Sequence, residues 1–309
     1  MKDAQFTAIY DTNSATAQEM AAKFGTRAVS SLEEFASLVD AATVATPTPT
    51  HFPIGKFLLE QGKHILVEKP ITENTEDARA LADLAHARGL VLQVGHIERF
   101  NPVLGALEAQ LTRPRFIESH RLSPYPNRST EIGVVLDLMI HDLEIILHLV
   151  RSPVQSIDAV GVPVLSQRED IANARLRFEN GCVANITVSR ISPEKLRKIR
   201  VFQEDAYLSL DYQAQEGYIY RLGRSDEQES SLLKKLLSAK ESAIVSEFAG
   251  RKIVREPVAI EKGEPLQREL TAFLECARVG ATPKVSGYEA TAALELALDI
   301  TRRIEAAKQ

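Results

Sequence analysis

Over the first third of the chain, short apolar runs alternate with amphipathic stretches. FTAIY at 6–10 reads as a buried strand that Asp11 ends. The next segment, SATAQEMAAKFG, carries Ala15, Met20, Ala21 and Phe24 at helical spacing, and Gly25 supplies a left-handed stop. SLEEFASLVD repeats the pattern, with Ser31 as N-cap and Glu34 as its capping-box partner. AATVATPTPTH then reads as a strand running into a proline-rich loop, FPIGKFLLEQG as helix, KHILVEKP as strand, TENTEDARALADLAHARG as helix and LVLQVGH as strand. Apolar strands alternating with amphipathic helices predict a parallel sheet covered on both faces.

The rhythm changes after about residue 115. SIDAVGVPVL, ANARLRFE, GCVANITVSR, RKIRVFQE, AYLSLDY and GYIYRLG follow one another without helices between them, which predicts a largely antiparallel sheet. VLDLMIHDLEIILHLVR precedes them as a helix; EPLQRELTAFLECARVG and GYEATAALELALDITRRIEAA follow as two more. The polar segment SDEQESSLLKKLLSAKESAIVSEFAGRK reads as a surface insertion. The expected fold class is α/β plus α+β: a Rossmann-like domain over 1–112 and a second domain over 113–309.

Composition narrows the partners. With 44% hydrophobic and 26% charged residues and a net charge of -5, the chain is an ordinary globular protein. It lacks the concentrated basic charge that rewards nucleic acid or an anionic membrane. No apolar run approaches the roughly 20 residues of a membrane helix and the N-terminus has no signal core, so a cytoplasmic protein is expected. The two cysteines, Cys182 and Cys276, read as reduced thiols.

Open parallel sheets bind ligands beyond the carboxyl ends of their strands. Asp11 stands where a nucleotide-binding sheet places an acid to accept ribose hydroxyls; a turn or cap residue is the alternative. That acid should follow a glycine-rich strand-to-helix turn by about 20 residues. Only ten residues precede Asp11, and no such turn is found elsewhere. With Met1 as the start, the first βα unit and its pyrophosphate cradle are missing, and weakened dinucleotide affinity is expected. Thr46, Pro47, Thr48 and His51 follow the next strand, where hydroxyls can bond ribose or phosphate; Thr50 and His51 could equally cap the following helix. Lys69 ends a buried strand before Pro70, which would aim its ammonium; a surface pair with Glu68 is the other reading.

Asp137 and His141 lie four residues apart, on one helix face, with Glu144 and His148 extending the stripe among apolar neighbours. Such a stripe would face a wet cavity, and its acid can orient the imidazole. Two histidines and two acids at this spacing could also hold a metal. Glu68, His96, Arg99 and Asn101 are further cofactor or substrate contacts. Arg121, Tyr125 and Arg128 could clamp a diphosphate, or simply form a solvated loop.

Four motifs in register, ATPTPTH at 45–51, EKP at 68–70, GHIERFNP at 95–102 and DLMIHD at 137–142, resemble the Gfo/Idh/MocA family of NAD(P)-dependent sugar and cyclitol oxidoreductases. GHIERFNP and RLSPYPNRSTEIGVVLDLMIHD look most like the branch acting on UDP-N-acetylglucosamine at position 3. The resemblance implies a Rossmann domain, a second domain whose open sheet often buries a subunit interface in a homodimer or homotetramer, and metal-independent hydride transfer to NAD, with NADP the variant. Asp11 favours NAD, because its carboxylate would repel a 2′-phosphate. By resemblance, Lys69 stabilises the alkoxide and contacts the nicotinamide ribose, Asp137 and His141 are the catalytic pair, and His141 is the base. An ammonium from one lobe and an imidazole from the other then act on one alcohol oxygen. The missing glycine-rich turn leaves a second expectation, a non-catalytic sugar or nucleotide-sugar sensor or assembly subunit.

Overall fold

The computed structural model describes residues 4–125, 131–222, 243–248 and 251–307. They divide into two compact units: the chain up to His96 together with Leu266–Leu294, and Ile97–Pro265 together with the residues from Glu295 onward. The boundary at 96/97 differs from the expected one at 112/113 because the helix over Pro102–Gln110 belongs to the second unit. Asn101, its N-cap, donates from Nδ2 to the carbonyl of Tyr212 at 3.0 Å. Residues 266–294 return to the first unit because Phe273 packs on Leu66 and Val91, and the Val94 N–H donates to the Val285 carbonyl at 3.0 Å.

In the first unit, β1 (Ala8–Ile9) pairs in parallel with β2 (Arg27–Ala28). Three further strands, β3 (Ala41–Val44), β4 (His64–Glu68) and β5 (Leu92–Gly95), form a parallel sheet in that order. Among the described residues the two sheets are separate. The central strand β4 buries Ile65, Leu66 and Val67, as a strand covered on both faces must. Helix α1 (Ser14–Phe24) stops at Gly25, whose φ of 64° is the left-handed cap expected of it. Helix α2 (Leu32–Leu38) starts at Ser31, whose hydroxyl accepts from the Glu34 N–H at 3.1 Å. The return bond lands one residue early: the Glu34 carboxylate accepts from the Ser30 N–H at 3.1 Å. Helices α3 (His51–Glu60) and α4 (Thr75–Ala87) complete the alternation.

The second unit is built on a nine-stranded sheet of order β13-β14-β12-β11-β10-β6-β9-β8-β7. Here β6 is Phe116–Leu122, β7 Val154–Val162, β8 Ile171–Phe178, β9 Val183–Ser189, β10 Leu196–Phe202, β11 Ala206–Asp211, β12 Glu216–Leu222, β13 Ala243–Phe248 and β14 Arg251–Pro257. Its described pairs are antiparallel except β6 with β9. Alternate residues point inward and are buried, among them Ala172, Ala174, Leu176 and Phe178 on β8 and Ala184, Ile186 and Val188 on β9. The described parts of the segment read as an insertion are strands, β13 and the start of β14. Helix α5 (Pro102–Gln110), helix α6 (Ile140–Val150), helix α7 (Pro265–Val279) and helix α8 (Gly287–Ala306) complete the described elements. No helix among the described residues is long and apolar enough to cross a membrane.

Candidate active site

The first unit gathers polar groups at the carboxyl ends of its strands. Asp11, exposed after β1, accepts the Asn13 N–H at 2.7 Å and so makes the turn that leads into α1. Asn13, not Asp11, is the N-cap, accepting from Ala15 and Thr16. Beyond β3, Thr46 and Pro47 are exposed and Thr48 is half-buried. The Thr50 hydroxyl lies 2.7 Å from both the Thr46 hydroxyl and the Pro47 carbonyl, which closes this loop on itself.

His51 corrects the expectation of a cofactor contact. Its ring is 1% exposed, with Nε2 2.7 Å from the Thr46 carbonyl and Nδ1 2.9 Å from the Pro70 carbonyl. Both nitrogens face the protein's own backbone, so the ring has no polar atom left for a ribose.

Glu68 and Lys69 end β4, and the Lys69–Pro70 peptide is cis. Burial pushes the Glu68 carboxyl up from its ordinary value, while the Lys69 N–H, the Lys69 charge and His51 pull it back. On the neighbouring strand, a Cβ at Gly95 would stand 2.9 Å from a Glu68 oxygen. Glycine at 95 is thus what lets the Glu68 side chain lie across the ends of β4 and β5. His96 is buried, and its N–H donates to the Val94 carbonyl at 2.7 Å.

In the second unit Asp137 and His141 are both half-buried. The helix that carries them is not uniform. Val135–Met139 form a π-turn, closed by the Ile140 N–H on the Val135 carbonyl, and α6 continues from it. Asp137 lies inside that turn, the wider winding that recurs at functional sites.

The rest of the expected polar stripe is spent on structure. Glu144, only 3% exposed, pairs with Arg99 at 3.0 Å, and His148 meets Glu108 at 2.8 Å. The stripe therefore turns into packed protein at Glu144 and reaches the surface at His148, which corrects the expectation of a wet cavity along its length. Arg99 also reaches Glu108 at 3.2 Å, and Asn101 is buried against Glu98. Arg121, expected in a diphosphate clamp, points into the protein. Its Nε lies 2.7 Å from Asp142 and its Nη1 2.9 Å from Glu98, and Asp142 also takes the Ser119 hydroxyl at 2.7 Å. Two carboxylates clasp this buried fork and hold it in the charged state. Arg99, Asn101 and Arg121 thus tie β6, α5 and α6 together as internal groups. Tyr125 is exposed, with Arg190 5.8 Å from its ring centre, and Arg128 lies outside the described residues.

A second buried node, missed in the sequence, supports the start of the π-turn. Asp170 accepts three successive N–H groups, from Val164, Leu165 and Ser166, at 2.6–2.9 Å, and pairs with Arg190 Nε at 2.8 Å. Arg190 Nη1 also donates to the Ile132 carbonyl at 2.8 Å, and the Glu169 carboxylate accepts the Val135 N–H at 3.4 Å. A Cβ on Gly133 would overlap that Glu169 carboxylate, so any larger residue there must displace it from the Val135 N–H. The isolated signal was the RED tripeptide at 168–170 and the SR dipeptide at 189–190, which nothing in the pattern distinguishes from surface charge.

Burial raises the carboxyls of Glu98 and Asp170, but their cationic and N–H partners more than offset it, and both sit below their ordinary values. Because the folded values are depressed, their contribution to stability is complete above about pH 5, begins to fall near the unfolded carboxyl values of about 4, and is lost as pH falls through the folded values. Thermal unfolding followed by circular dichroism should show Tm falling between about pH 5 and pH 3, less steeply in Glu98→Gln. Equal slopes in the two proteins would remove Glu98 from the account.

Among the described residues no group of three or more His, Cys, Asp or Glu side chains is placed to hold a metal ion. Comparison with known proteins covers both halves of the chain. Residues 1–96 match the model of an oxidoreductase family with an NAD-binding Rossmann fold, and residues 106–209 match the GFO/IDH/MocA C-terminal domain. The chain is 40% identical over 220 residues to a UDP-N-acetylglucosamine 3-dehydrogenase of Acidithiobacillus ferrooxidans, a match covering 71% of this chain and 70% of that one. It is 28% identical over 280 residues to a scyllo-inositol 2-dehydrogenase (NAD(+)) of Bacillus subtilis, covering 85% and 75%. A solved structure of the Acidithiobacillus enzyme superposes with a TM-score of 0.87 at 33% identity, covering 100% of this chain and 92% of the other.

Proposed function

The chain belongs to the Gfo/Idh/MocA family of NAD-binding oxidoreductases, and from that premise we propose that it oxidises a secondary alcohol of a nucleotide sugar, with the 3-hydroxyl of UDP-N-acetylglucosamine as the leading substrate. One observation carries the reading: this chain, 40% identical over 220 residues to a dehydrogenase of that substrate, presents half-buried Lys69 at the end of β4 and half-buried Asp137 and His141 at a π-turn.

The donors at the strand ends suit a dinucleotide's riboses. The exposed carboxylate of Asp11 can accept ribose hydroxyls, while Thr46, Thr48, Glu68 and Lys69 offer hydroxyls, an acid and an ammonium. Asp11 favours NAD over NADP by charge. When bound, the nicotinamide supplies the hydride acceptor. The protein's own groups handle the proton. His141 accepts it from the substrate hydroxyl, Asp137 orients the ring and holds the sugar, and the Lys69 ammonium stabilises the oxygen as negative charge develops. Tyr125 and His96 are further substrate contacts in this reading.

The experiment is the growth of reduced-nicotinamide absorbance when nucleotide sugars and inositols are added to the protein with NAD. Reduction with UDP-N-acetylglucosamine is expected. Reduction by an inositol alone would move the substrate, and saturable sugar binding without reduction by any of them would favour a sensor.

In a cytoplasmic setting, which the two unpaired cysteines suit, we place the protein as a homodimer or homotetramer joined through the outer face of the nine-stranded sheet. There Phe116, Phe202, Tyr207 and Tyr220 stand in line on adjacent strands, ring centres 5.6, 5.0 and 4.2 Å apart and half-exposed. Tyr220→Glu should lower the mass seen by light scattering; an unchanged mass would move the interface elsewhere.

A further inference from the structure

We propose that His51 is the positioning residue for Lys69: as an imidazolium it donates to the Thr46 and Pro70 carbonyls at once, fastening the loop after β3 to the turn after β4. The role assigned to it rests on the reading of Lys69 given above.

The argument begins with donors and acceptors. A carbonyl oxygen only accepts, and a neutral imidazole carries one N–H. His51 has a carbonyl at 2.7 Å from Nε2 and another at 2.9 Å from Nδ1. A neutral ring would set a nitrogen lone pair against one of those oxygens. At 1% exposure, solvent has no access to relieve that contact. The cationic ring satisfies both carbonyls with charge-assisted bonds.

The surroundings bear on that charge from each side. Glu68, at the end of β4, is the acid whose negative charge opposes that of the ring. Lys69 is a second cation on the same strand end, and α3 begins at His51 with the positive end of its dipole. Both oppose the imidazolium, so the carbonyls and Glu68 must outweigh them. The alternative use of the side chain, capping α3, is not taken up: no side chain caps that helix.

The mechanical consequence follows from position. Pro70 is the residue next to Lys69, and a carbonyl pinned there fixes the plane of the turn from which the lysine leaves. Thr46 lies in the loop assigned to the cofactor riboses. One buried ring thereby sets the spacing between a ribose-binding loop and the lysine.

The test uses the whole chain labelled with 15N-histidine. Of the seven histidines, one ring should show two protected N–H signals at neutral pH, and both should vanish in His51→Gln. A single N–H on that ring overturns the imidazolium. Amine labelling of Lys69, read by mass spectrometry, should be about threefold or more faster in His51→Gln, and kcat should fall about tenfold or more with KM for the sugar nearly unchanged. An unaltered labelling rate in a folded variant overturns the positioning role. If His51→Gln does not fold, the ring-proton count in the unmutated chain decides. If no substrate is turned over by the unmutated chain, the oxidoreductase reading fails, while ring protons and lysine labelling still judge the tie.

Discussion

Lys69→Ala is expected to lower kcat by about a hundred- to ten-thousand-fold while KM for the sugar moves only a few-fold. In the proposed mechanism the ammonium acts when the substrate oxygen becomes negative, so its removal costs more in the transition state than in the ground state. His141→Ala should lose turnover on a similar scale, because the hydroxyl proton then has no acceptor at the substrate. The double variant should fall little further than either single one, since groups that act as a unit are strongly non-additive. Steady-state kinetics on the three proteins checks this, with circular dichroism to confirm folding. Two single variants of nearly full activity would end the proposed roles of both residues.

Removal of the Arg190 guanidinium should destabilise the second unit by about 3–5 kcal/mol, the usual result of leaving one member of a buried ion pair alone. Arg190 and Asp170 are 0% exposed, and Asp170 would keep its three N–H donors and the Ser166 hydroxyl but lose the guanidinium that pairs with it. Arg190→Met preserves much of the side-chain volume, so the loss reads the charge and its hydrogen bonds more than a cavity. Urea unfolding of the variant measures it through the shift in midpoint at constant m. A midpoint within error of the unmutated protein would mean that the backbone N–H groups and the Ser166 hydroxyl suffice to hold Asp170.

Much of this could be read from the pattern of residues. The alternation of strands and helices in the first unit, the Gly25 stop and the Ser31 cap were all legible, because each follows from local spacing and backbone freedom. The strand β6 was not. FIESHRL carries Glu118, His120 and Arg121, and the buried charge of Arg121 makes sense only once Asp142 and Glu98 are beside it. For the same reason Arg99, Asn101 and Arg121 read as ligand contacts: a sequence shows a charge near a strand end but not the carboxylates that clasp it. Lys69, Asp137 and His141 were singled out by their motifs and stand as the proposed catalytic groups, whereas the bond of His51 to Pro70 spans 19 positions and has no local signature.

The π-turn at Val135–Met139 changes how the long helix should be read. One surplus residue shifts the phase of everything upstream of Met139 relative to everything downstream, so a single wheel drawn through 134–150 puts one end on the wrong side. That slip gives the two ends separate allegiances. The downstream end can keep Asp142 and Glu144 locked inward, while the upstream end turns Asp137 to an orientation that a regular winding would deny it.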